Sequence, residues 1–343
     1  MHVKCLVWDL DNTLWDGILL EGDEPVPFTA AVRTLRALDE RGVLHAVASR
    51  SDAEQAAGHL RRHGLIDFFT VVEVGWGAKS AAVARIAQTL DIGVETLAFV
   101  DDDPVERAEV AGELPMVRCY PAGEAGALPD RPEFQPPFIT AESRQRRLLY
   151  RAARLRVQAE QEFAGSSAQF LTSLELVMTI RRATEDDLAR AHELTVRTHQ
   201  LNTTGLTFGM AELRALCESP DHEVLVARLT DRFGDYGTIG IAVTDLSTTD
   251  AVLKLLLMSC RVLSRGVGSV LVEHVVQRAL RAGRRPVAEF VPTGVNRAML
   301  VTFRFGGFEV VREDAERLVL AVDPGRPRPP GPGHVTVLAE DPV

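Results

Sequence analysis

The chain has 343 residues, of which 46% are hydrophobic and 25% charged, so its composition is that of an ordinary globular protein long enough for two domains. Its formal net charge of -10 argues against wholesale binding of nucleic acid, and an acidic partner would have to dock on a local basic patch. No secretory signal or membrane-spanning apolar run is recognisable, and the four scattered cysteines show no metal spacing or disulfide framework, so we expect a cytoplasmic protein.

The first 120 residues alternate short apolar segments with amphipathic ones. The pattern predicts strands at 4–8, 43–48, 69–73, 96–100 and 115–119, and helices near 28–41, 53–63, 79–91 and 104–112. This alternation predicts an α/β fold with a doubly wound parallel sheet, in which the strands present their carboxyl ends at one edge.

The first predicted strand ends in two carboxylates, Asp9 and Asp11, within the segment Cys5-Leu-Val-Trp-Asp-Leu-Asp-Asn-Thr13. Carboxylates separated by one residue repel each other, and a bound cation keeps both of them ionised. The pattern therefore predicts a Mg²⁺ site that acts on a phosphorylated substrate.

An Asp-x-Asp-x-Thr motif after an apolar strand resembles the first motif of the haloacid dehalogenase (HAD) superfamily of phosphotransferases. The resemblance implies that Asp9 attacks phosphorus, while Asp11 protonates the leaving group and later activates water. It also assigns Thr13 to substrate binding.

Polar residues follow the later strands as well. Ser49 could donate its hydroxyl to a phosphoryl oxygen, and Lys79 could neutralise the nucleophile and the phosphate. Asp101 and Asp102 would complete the metal site with Asp9 and the Asp11 carbonyl. Each has an ordinary alternative, namely a helix cap, a solvated lysine and an acidic loop facing water. Their order along the chain favours the catalytic interpretation.

The predicted domains are a HAD-like phosphatase domain at 1–139, a linker helix at 140–168, a second domain at 169–323 and a flexible Pro/Gly-rich tail at 324–343. Residues 16–27 are too few for a folded cap domain, so the site is expected to be open to a bulky or protein-borne substrate.

The helix at 141–163 is rich in arginine. It is interpreted either as a solvated connection or as a docking surface for an acidic partner. Its arginines are Arg144, Arg146, Arg147, Arg151, Arg154 and Arg156.

The second domain contains a predicted strand, glycine turn and helix that form an anion cradle at Gly266-Val-Gly268. This order resembles the GNAT acyltransferase fold, which is of the α+β class and binds the pyrophosphate of coenzyme A in that place. Leu263 occupies a position that is usually basic or an amide in that family. A carrier protein's pantetheine arm has a single phosphate group in place of the pyrophosphate, so it needs fewer contacts with this loop than coenzyme A does.

Cys260 lies at the junction of that strand and the cradle, where it is either a small core residue or a nucleophile beside Arg261 and the helix start. Asn296, with Thr293, is either a helix cap or a donor to a thioester oxygen. His199 is either a base for a thiol or a structural histidine.

Several motifs together resemble the FkbH-type glyceryl-acyl-carrier-protein synthases, over residues 1 to about 320. Beyond the HAD motifs they are Arg197-Thr-His-Gln-Leu-Asn202, Asp231-Arg-Phe-Gly-Asp235, Met258-Ser-Cys-Arg-Val262, Arg265-Gly-Val-Gly268 and Val291-Pro-Thr-Gly-Val-Asn296. The resemblance implies that 1,3-bisphosphoglycerate is dephosphorylated and that its glyceryl group is loaded onto an acyl carrier protein for polyketide or tetronate synthesis. Asn202 is assigned to substrate binding on the same grounds.

Two alternatives remain open. One is a HAD phosphatase whose GNAT-like domain transfers another acyl group from coenzyme A, and the other is a carrier-protein-binding module with a decayed second site. The cofactors implied by the first interpretation are Mg²⁺ and the phosphopantetheine of the carrier protein.

Overall fold

The computed structural model describes residues 2–22, 24–136, 139–198, 200–314, 316–326 and 331–340. The chain divides into two units, Met1–Arg154 and Leu155–Val343, and the division lies within the predicted linker at 140–168. Within the described ranges, no helix is both long enough and apolar enough to cross a membrane.

The first unit is built on a parallel sheet, as the sequence predicts. Its strands are β1 (Cys5–Trp8), β2 (Trp15–Asp16), β3 (Val26–Pro27), β4 (Leu44–Ser49), β5 (Phe69–Val74), β6 (Leu97–Asp101) and β7 (Arg118–Pro121). Among the described residues, five of these strands form the sheet in the order β5-β4-β1-β6-β7, and all its pairs are parallel. The remaining two, β2 and β3, form a small hairpin between β1 and the first helix, where a large cap is not expected.

Helices cover both faces of this sheet. They are α1 (Thr29–Glu40), α2 (Ala53–Arg62), α3 (Lys79–Leu90), α4 (Pro104–Glu113), α5 (Ala141–Arg144) and α6 (Arg146–Glu162), of which α6 continues into the second unit. Leu6 and Trp8 of β1 pack in one hydrophobic cluster with α1 and α2, while Cys5 and Val7 pack in another with α3 and α4. Because β1 is covered on both faces, its sequence is apolar throughout and does not alternate.

The predicted strand at 115–119 begins later than expected. Residues 115–117 form a turn at the end of α4, in which the backbone N–H of Val117 donates to the Leu114 carbonyl at 2.9 Å. Pro115 has no N–H to offer a strand ladder, so pairing with β6 starts only at Arg118.

The arginine-rich helix also differs from the prediction, because it is interrupted at Gln145 and many of its arginines contact the chain itself. In the first unit, Arg147 pairs with Asp39 at 3.0 Å and Arg151 with Asp67 at 2.8 Å. In the second unit, Arg156 is 3% exposed and pairs with Asp231 at 2.7 Å. These arginines are therefore neither simply solvated nor all available to a partner.

The second unit contains a mixed sheet. Its strands are β8 (Leu176–Arg182), β9 (His222–Asp231), β10 (Gly234–Asp245), β11 (Asp250–Met258), β12 (Arg285–Phe290), β13 (Phe308–Glu313), β14 (Leu318–Val322) and β15 (Val335–Ala339). Their order, within the described residues, is β13-β14-β12-β11-β10-β9-β8-β15. β11 and β12 are parallel, whereas β8 to β11 pair antiparallel in sequence order. The predicted α+β class of this domain is confirmed.

Helices pack on the faces of the mixed sheet. They are α7 (Ser167–Ser173), α8 (Glu185–Arg197), α9 (Met210–Glu218), α10 (Val267–Arg281) and α11 (Arg297–Phe305). α10 and α11 contribute to one hydrophobic cluster, and α8 and α9 contribute to another. At the start of α8, the Thr184 backbone N–H donates to Asp187 at 2.8 Å, which satisfies a donor at the helix start.

The tail is not irregular throughout, contrary to the prediction for 324–343. Residues 335–339 form β15, which pairs in parallel with β8 from Val335 opposite Leu176 to Ala339 opposite Ile180. The Pro/Gly-rich composition of 324–333 predicts irregular backbone there, but it does not extend to the β-branched segment Val335-Thr-Val337.

Candidate functional site

The end of β1 positions the predicted nucleophile. The Asp9 backbone N–H donates to the Val100 carbonyl of β6 at 3.0 Å, so the last rung of the ladder fixes this residue. Its side chain is only 5% exposed. Burial raises the pKa of the Asp9 carboxyl to about 6, although the charge of Lys79 acts in the opposite direction.

Lys79, the first residue of α3, lies between two carboxylates. Its Nζ donates to Asp9 Oδ1 at 2.7 Å and to Asp101 Oδ2 at 2.5 Å. Burial works to lower the Lys79 pKa, but the two carboxylates raise it above its ordinary value, so this lysine is held in its charged form. The lysine predicted from the sequence therefore lies in the site and is not a solvated surface residue.

Three carboxylates converge at the edge of the sheet. Asp9, Asp101 and Asp102 each offer an oxygen, and these atoms all lie within 4.8 Å of one another. Burial also raises the pKa of Asp101, because the charged carboxylates are costly in a partly closed site. A set of hard oxygen ligands with excess negative charge fits Mg²⁺, and these residues would hold it.

Thr13 and Asp102 hold each other. The Asp102 backbone N–H donates to Thr13 Oγ1 at 2.9 Å, and the Thr13 hydroxyl donates to Asp102 Oδ1 at 3.3 Å. Thr13 is 1% exposed, so this contact fixes the loop that follows β1 against the end of β6. The structure gives the predicted substrate-binding Thr13 a positioning contact with a candidate metal ligand.

The side chain of Asp11 is held apart from that carboxylate cluster. Trp15 Nε1 donates to Asp11 Oδ1 at 2.7 Å, and the Leu19 backbone N–H donates to the same oxygen at 3.3 Å. Because the cluster formed by the described residues does not include this carboxylate, Asp11 is left as a candidate acid and base. The sequence does not predict a role for Trp15. Its position four residues after Asp11 in the same turn could have indicated a contact between the two side chains.

Ser49 ends β4, the strand that pairs with β1, and it is 4% exposed. The Ser49 carbonyl accepts from the Gly75 backbone N–H at 3.0 Å, which ties this strand end to the loop before Lys79. Arg107, which the sequence does not single out, donates to the carbonyls of Asp101 and Asp102, both at 2.7 Å. Asp103 caps α4 by accepting from the Val105 N–H at 2.8 Å.

In the second unit, β11 and β12 pair only near their starts, from Asp250 opposite Arg285 to Leu253 opposite Ala288. The segment Leu201–Thr203 lies between their far ends. The Thr203 N–H donates to the Leu256 carbonyl at 3.1 Å, and the Val291 N–H donates to the Thr203 carbonyl at 2.9 Å. This segment therefore fills the gap that the diverging strands leave.

Two asparagines that the sequence assigns to substrate binding stabilise this region through hydrogen bonds. Asn296 is 1% exposed, and its Nδ2 donates to the carbonyls of Asn202 and Val291 at 3.0 and 2.9 Å. Asn202 Oδ1 accepts from the Gly205 N–H at 2.7 Å, and its Nδ2 donates to the Leu206 carbonyl. Their polar atoms are thus used inside the fold.

Thr293 has a local role as well, since its N–H donates to Asn296 Oδ1 at 2.9 Å and its Oγ1 accepts from the Asn296 N–H at 3.2 Å. Asn296 occupies the N-cap position of α11, as the helix-cap interpretation predicts, but its side chain makes no cap hydrogen bond to the helix. His199 lies outside the described residues.

Cys260 follows the end of β11 and begins the 3-10 turn Cys260–Arg265, and the residue is exposed. The interpretation of Cys260 as a core residue is therefore wrong. Arg261 Nε donates to Ser259 Oγ at 3.3 Å, whereas Arg265 is buried and pairs with Glu160 at 3.3 Å.

An apolar cavity of about 430 Å³ lies beside this turn. Met258 and Val262, two residues before and after Cys260, line it, as do the two glycines of the cradle. Gly266 has φ of 72° and ends the 3-10 turn where α10 begins, a conformation that favours glycine. The cavity combines an apolar wall with a helix N-terminus, where backbone N–H groups favour an anion.

The tail reaches the same place. Gly331 and Pro332 line the apolar cavity, and the His334 imidazole lies 2.9 Å from the Arg265 carbonyl through Nε2. The sequence does not predict this contact, because nothing in a Pro/Gly-rich segment specifies where it packs.

One unit thus combines a parallel α/β sheet with a buried carboxylate centre, and the other combines a mixed α+β sheet with an exposed cysteine. No known family model matches the chain, and no curated protein matches it.

Solved structures do show similarity. One is the N-terminal part of a Bacteroides fragilis protein containing a phosphatase domain complexed with Mg, at 29% identity and a TM-score of 0.32. That match covers 35% of this chain and 36% of the other, about a third of its length. The Escherichia coli ribosomal-protein-S18-alanine N-acetyltransferase is 15% identical, with a TM-score of 0.34 and coverage of 42% and 92%. The PaiA N-acetyltransferase of Thermoplasma acidophilum, in complex with coenzyme A, has 15% identity, a TM-score of 0.34 and coverage of 42% and 98%.

Proposed function

We propose that the chain is a Mg²⁺-dependent phosphatase and glyceryltransferase, which dephosphorylates 1,3-bisphosphoglycerate and loads the glyceryl group onto the phosphopantetheine thiol of an acyl carrier protein. The observation that carries the proposal is that one chain holds both a carboxylate centre closed around Lys79 and an exposed Cys260 beside an apolar cavity. The product would serve polyketide biosynthesis, as an extender unit or in a tetronate.

The phosphatase step uses Asp9 as the nucleophile. One carboxylate oxygen attacks phosphorus, the bond to the substrate oxygen breaks, and Asp11 supplies the proton that the leaving alkoxide needs. The resulting aspartyl-phosphate is hydrolysed by a water that gives its proton to Asp11, which regenerates Asp9 and releases phosphate. When bound, Mg²⁺ neutralises charge on the phosphoryl oxygens.

Lys79 supports this step from the protein side. Its ammonium group contacts both Asp9 and Asp101, so it offsets the repulsion between two carboxylates that are otherwise costly to keep charged in a buried place. Trp15 holds one oxygen of Asp11, which orients the carboxyl group that moves the proton.

The transfer step uses the Cys260 thiolate. It attacks the carbonyl carbon of the acyl phosphate, the C–O bond to phosphate breaks, and a thioester forms while phosphate leaves. The pantetheine thiolate then attacks this thioester, takes the glyceryl group and releases the Cys260 thiolate. Exposure of Cys260 supports this assignment, because a thiol on another protein must reach it.

Mass spectrometry of the carrier protein tests the proposal. Holo carrier protein is incubated with the chain, 1,3-bisphosphoglycerate and Mg²⁺, and we expect a glyceryl adduct on the pantetheine thiol. Apo carrier protein, which has no pantetheine arm, is the matched control and should stay unmodified. Phosphate release without an adduct would refute the transferase assignment.

An acyl transfer from coenzyme A is the second candidate, favoured by the start of α10, where Gly266 and Gly268 suit phosphate groups. Incubation with acyl-coenzyme A in place of 1,3-bisphosphoglycerate separates the two. An acylated carrier protein or acylated Cys260 in that reaction alone would favour the second candidate.

A further inference from the structure

The second unit contains another cavity, of about 450 Å³, at the C-terminal end of α10. We name it the arginine cavity and define it by Arg182, Glu223, Thr244, Arg278, Arg281 and Arg284. The arginine cavity lies between the end of β8, the start of β9 and the last turns of α10. The volume of this cavity is within the range of about 300 to 1,000 Å³ that is typical of small-molecule sites.

Positive charge dominates the described lining of this cavity. Glu223 is the acidic residue among these six, and it is shared by two arginines. Its Oε1 accepts from Arg182 at 3.1 Å and from Arg278 at 2.6 Å. Arg281 and Arg284 add two further positive charges, so the described lining carries an excess of cations. Like charges gathered in a cleft repel each other and raise the affinity for an anion.

Basic residues in the last turn of a helix also interact favourably with its dipole, which accounts for Arg278 and Arg281. It does not account for Arg182, which ends β8, or for Arg284, which donates to the Thr248 carbonyl after the helix has ended. Arginines from separate elements therefore meet at one cavity for a reason beyond the stability of α10.

Thr244 gives an independent indication of a ligand. Its side chain is 3% exposed and lines the cavity, yet its Oγ1 has no hydrogen-bond partner within the described part of the chain. Buried hydroxyl groups are almost always hydrogen-bonded, because an unmet donor costs about 1 to 3 kcal/mol. Thr244 Oγ1 is itself covered in the structure, and a ligand oxygen that reached it on binding would satisfy the hydroxyl group.

We propose that the arginine cavity binds a small organic anion through a phosphate or carboxylate group, with the oxygens on the arginines and on Thr244 Oγ1. Ala251, Val275 and Ala279 provide an apolar wall for a short carbon body. A planar carboxylate group and a tetrahedral phosphate group can each present two oxygens to the paired N–H donors of one guanidinium group.

This site is separate from the apolar cavity beside Cys260. The two cavities have no described lining residue in common: Gly268 and Ser269 near the start of α10 line the apolar cavity, whereas Arg278 and Arg281 in its last turn line the other. A helix of 15 residues is about 22 Å long. The anion is therefore an additional ligand, and the proposal does not depend on the identity of the acyl group.

Protection from an arginine reagent tests the site directly. The full chain, without Mg²⁺ and at constant ionic strength, is treated with phenylglyoxal in chloride, in inorganic phosphate or in succinate, and peptide masses give the modification rate of each arginine. At anion concentrations above Kd we expect Arg281 and Arg284 to react at least about threefold more slowly. Arg285, which is exposed and does not line the cavity, is the internal control.

Each outcome decides the proposal. Protection of Arg281 and Arg284 by phosphate alone indicates a phosphate ester, by succinate alone a carboxylate, and by both a shared oxyanion site. Equal rates in all three buffers, or equal protection of Arg285, would overturn it. A Thr244→Val variant should lose part of the protection, whereas Arg285→Gln should not. The wild-type rates stand by themselves if Thr244→Val does not fold.

Discussion

The candidate sites of the two units differ most in their exposure to water. In the first unit, Asp9 and Asp101 are 5% and 0% exposed, and both are held by Lys79. In the second unit, Cys260 is exposed at the start of a turn. The difference matches what each reaction would need. A phosphoryl group reacts best among fixed charges with little water, while a thiol that passes an acyl group to another protein must be reachable.

The two sites also differ in how they are fixed. Asp9 and Asp102 directly follow neighbouring strands of one parallel sheet and Asp101 ends one of them, so the ladder itself sets their separation. Cys260 lies after a strand whose far end no longer pairs with β12, and its surroundings come from loops and from the tail. Rigidity in the first site and accessibility in the second can be tested separately.

The largest expected effect is on the buried site. Asp9→Asn should lower phosphate release from a phosphomonoester at least about 1,000-fold, because an amide cannot attack phosphorus. Phosphate release is measured with Mg²⁺ present, and circular dichroism checks the fold. The matched control is Asp16→Asn, since Asp16 is an exposed aspartate on the neighbouring hairpin. Retained activity in Asp9→Asn would exclude Asp9 as the nucleophile.

The second effect is on the exposed site. Cys260→Ser should lower glyceryl loading of the carrier protein at least about 100-fold, because a hydroxyl group is far less nucleophilic than a thiolate at neutral pH. Phosphate release from a phosphomonoester, which has no acyl phosphate for Cys260 to attack, should be unchanged in this variant, and that result sharpens the separation of the two sites. Cys217→Ser provides the control for removal of a sulfur. Loading at the wild-type rate would show that no thioester forms at Cys260.

The sequence predicts the first site far better than the second, for a physical reason. Asp9, Ser49, Lys79 and Asp101 follow strands or begin helices of a regular βα pattern, and such positions converge wherever the pattern forms a parallel sheet. Asn202 and Asn296 lie in loops, where the same amide can bind a ligand or a backbone carbonyl. The sequence does not specify which partner is near.

Contacts between distant segments account for the remaining differences. The hydrogen bond from Trp15 to Asp11 depends on how one turn closes, and the pairing of β15 with β8 joins residues far apart in the sequence. Neither of these two contacts produces a periodic pattern of hydrophobic residues from which it could be predicted. The exposure of Cys260 is similar, because an apolar run before a cysteine predicts burial unless the chain turns at that residue.

The third prediction concerns the buried histidine His45 in the first unit, whose burial should make the free energy of unfolding depend on pH. Trp8 Nε1 donates to His45 Nδ1 at 3.0 Å, so Nε2 carries the proton and donates to the Leu35 carbonyl at 3.0 Å. Burial lowers the pKa of His45 from 6.5 to about 3. Because this folded pKa is below the unfolded one, His45 contributes stability above pH 6.5 that is lost as the pH falls towards 3.

The free energy of unfolding of the wild type should fall by about 2 kcal/mol more between pH 7.5 and pH 5 than that of His45→Asn. Urea unfolding at both pH values gives this difference. His2→Asn, which changes an exposed histidine, should behave as the wild type does. An identical pH dependence in wild type and His45→Asn would contradict the buried neutral state of this ring.

The fourth effect concerns the group that orients Asp11. Trp15→Phe keeps an aromatic ring but removes the N–H that donates to Asp11 Oδ1 at 2.7 Å. We expect kcat for phosphate release to fall about tenfold with KM little changed, since a hydrogen bond to a charged group contributes about 1.5 to 3 kcal/mol. Trp76→Phe, at a tryptophan that is 73% exposed, is the control. A change in KM alone would instead place Trp15 in substrate binding.

The smallest effect tests whether the apolar cavity receives the pantetheine arm. Leu263 lines this cavity and is 55% exposed, so an arm lying against it would bury apolar surface that water now contacts. Leu263→Ser should raise KM for holo carrier protein about fivefold, because partial burial of one leucine contributes roughly 1 kcal/mol. Leu338→Ser, at a leucine that is 54% exposed on β15 and does not line the cavity, should leave KM unchanged. If both variants raise KM equally, the arm does not lie in this cavity, and the exposed thiol must be reached from another direction.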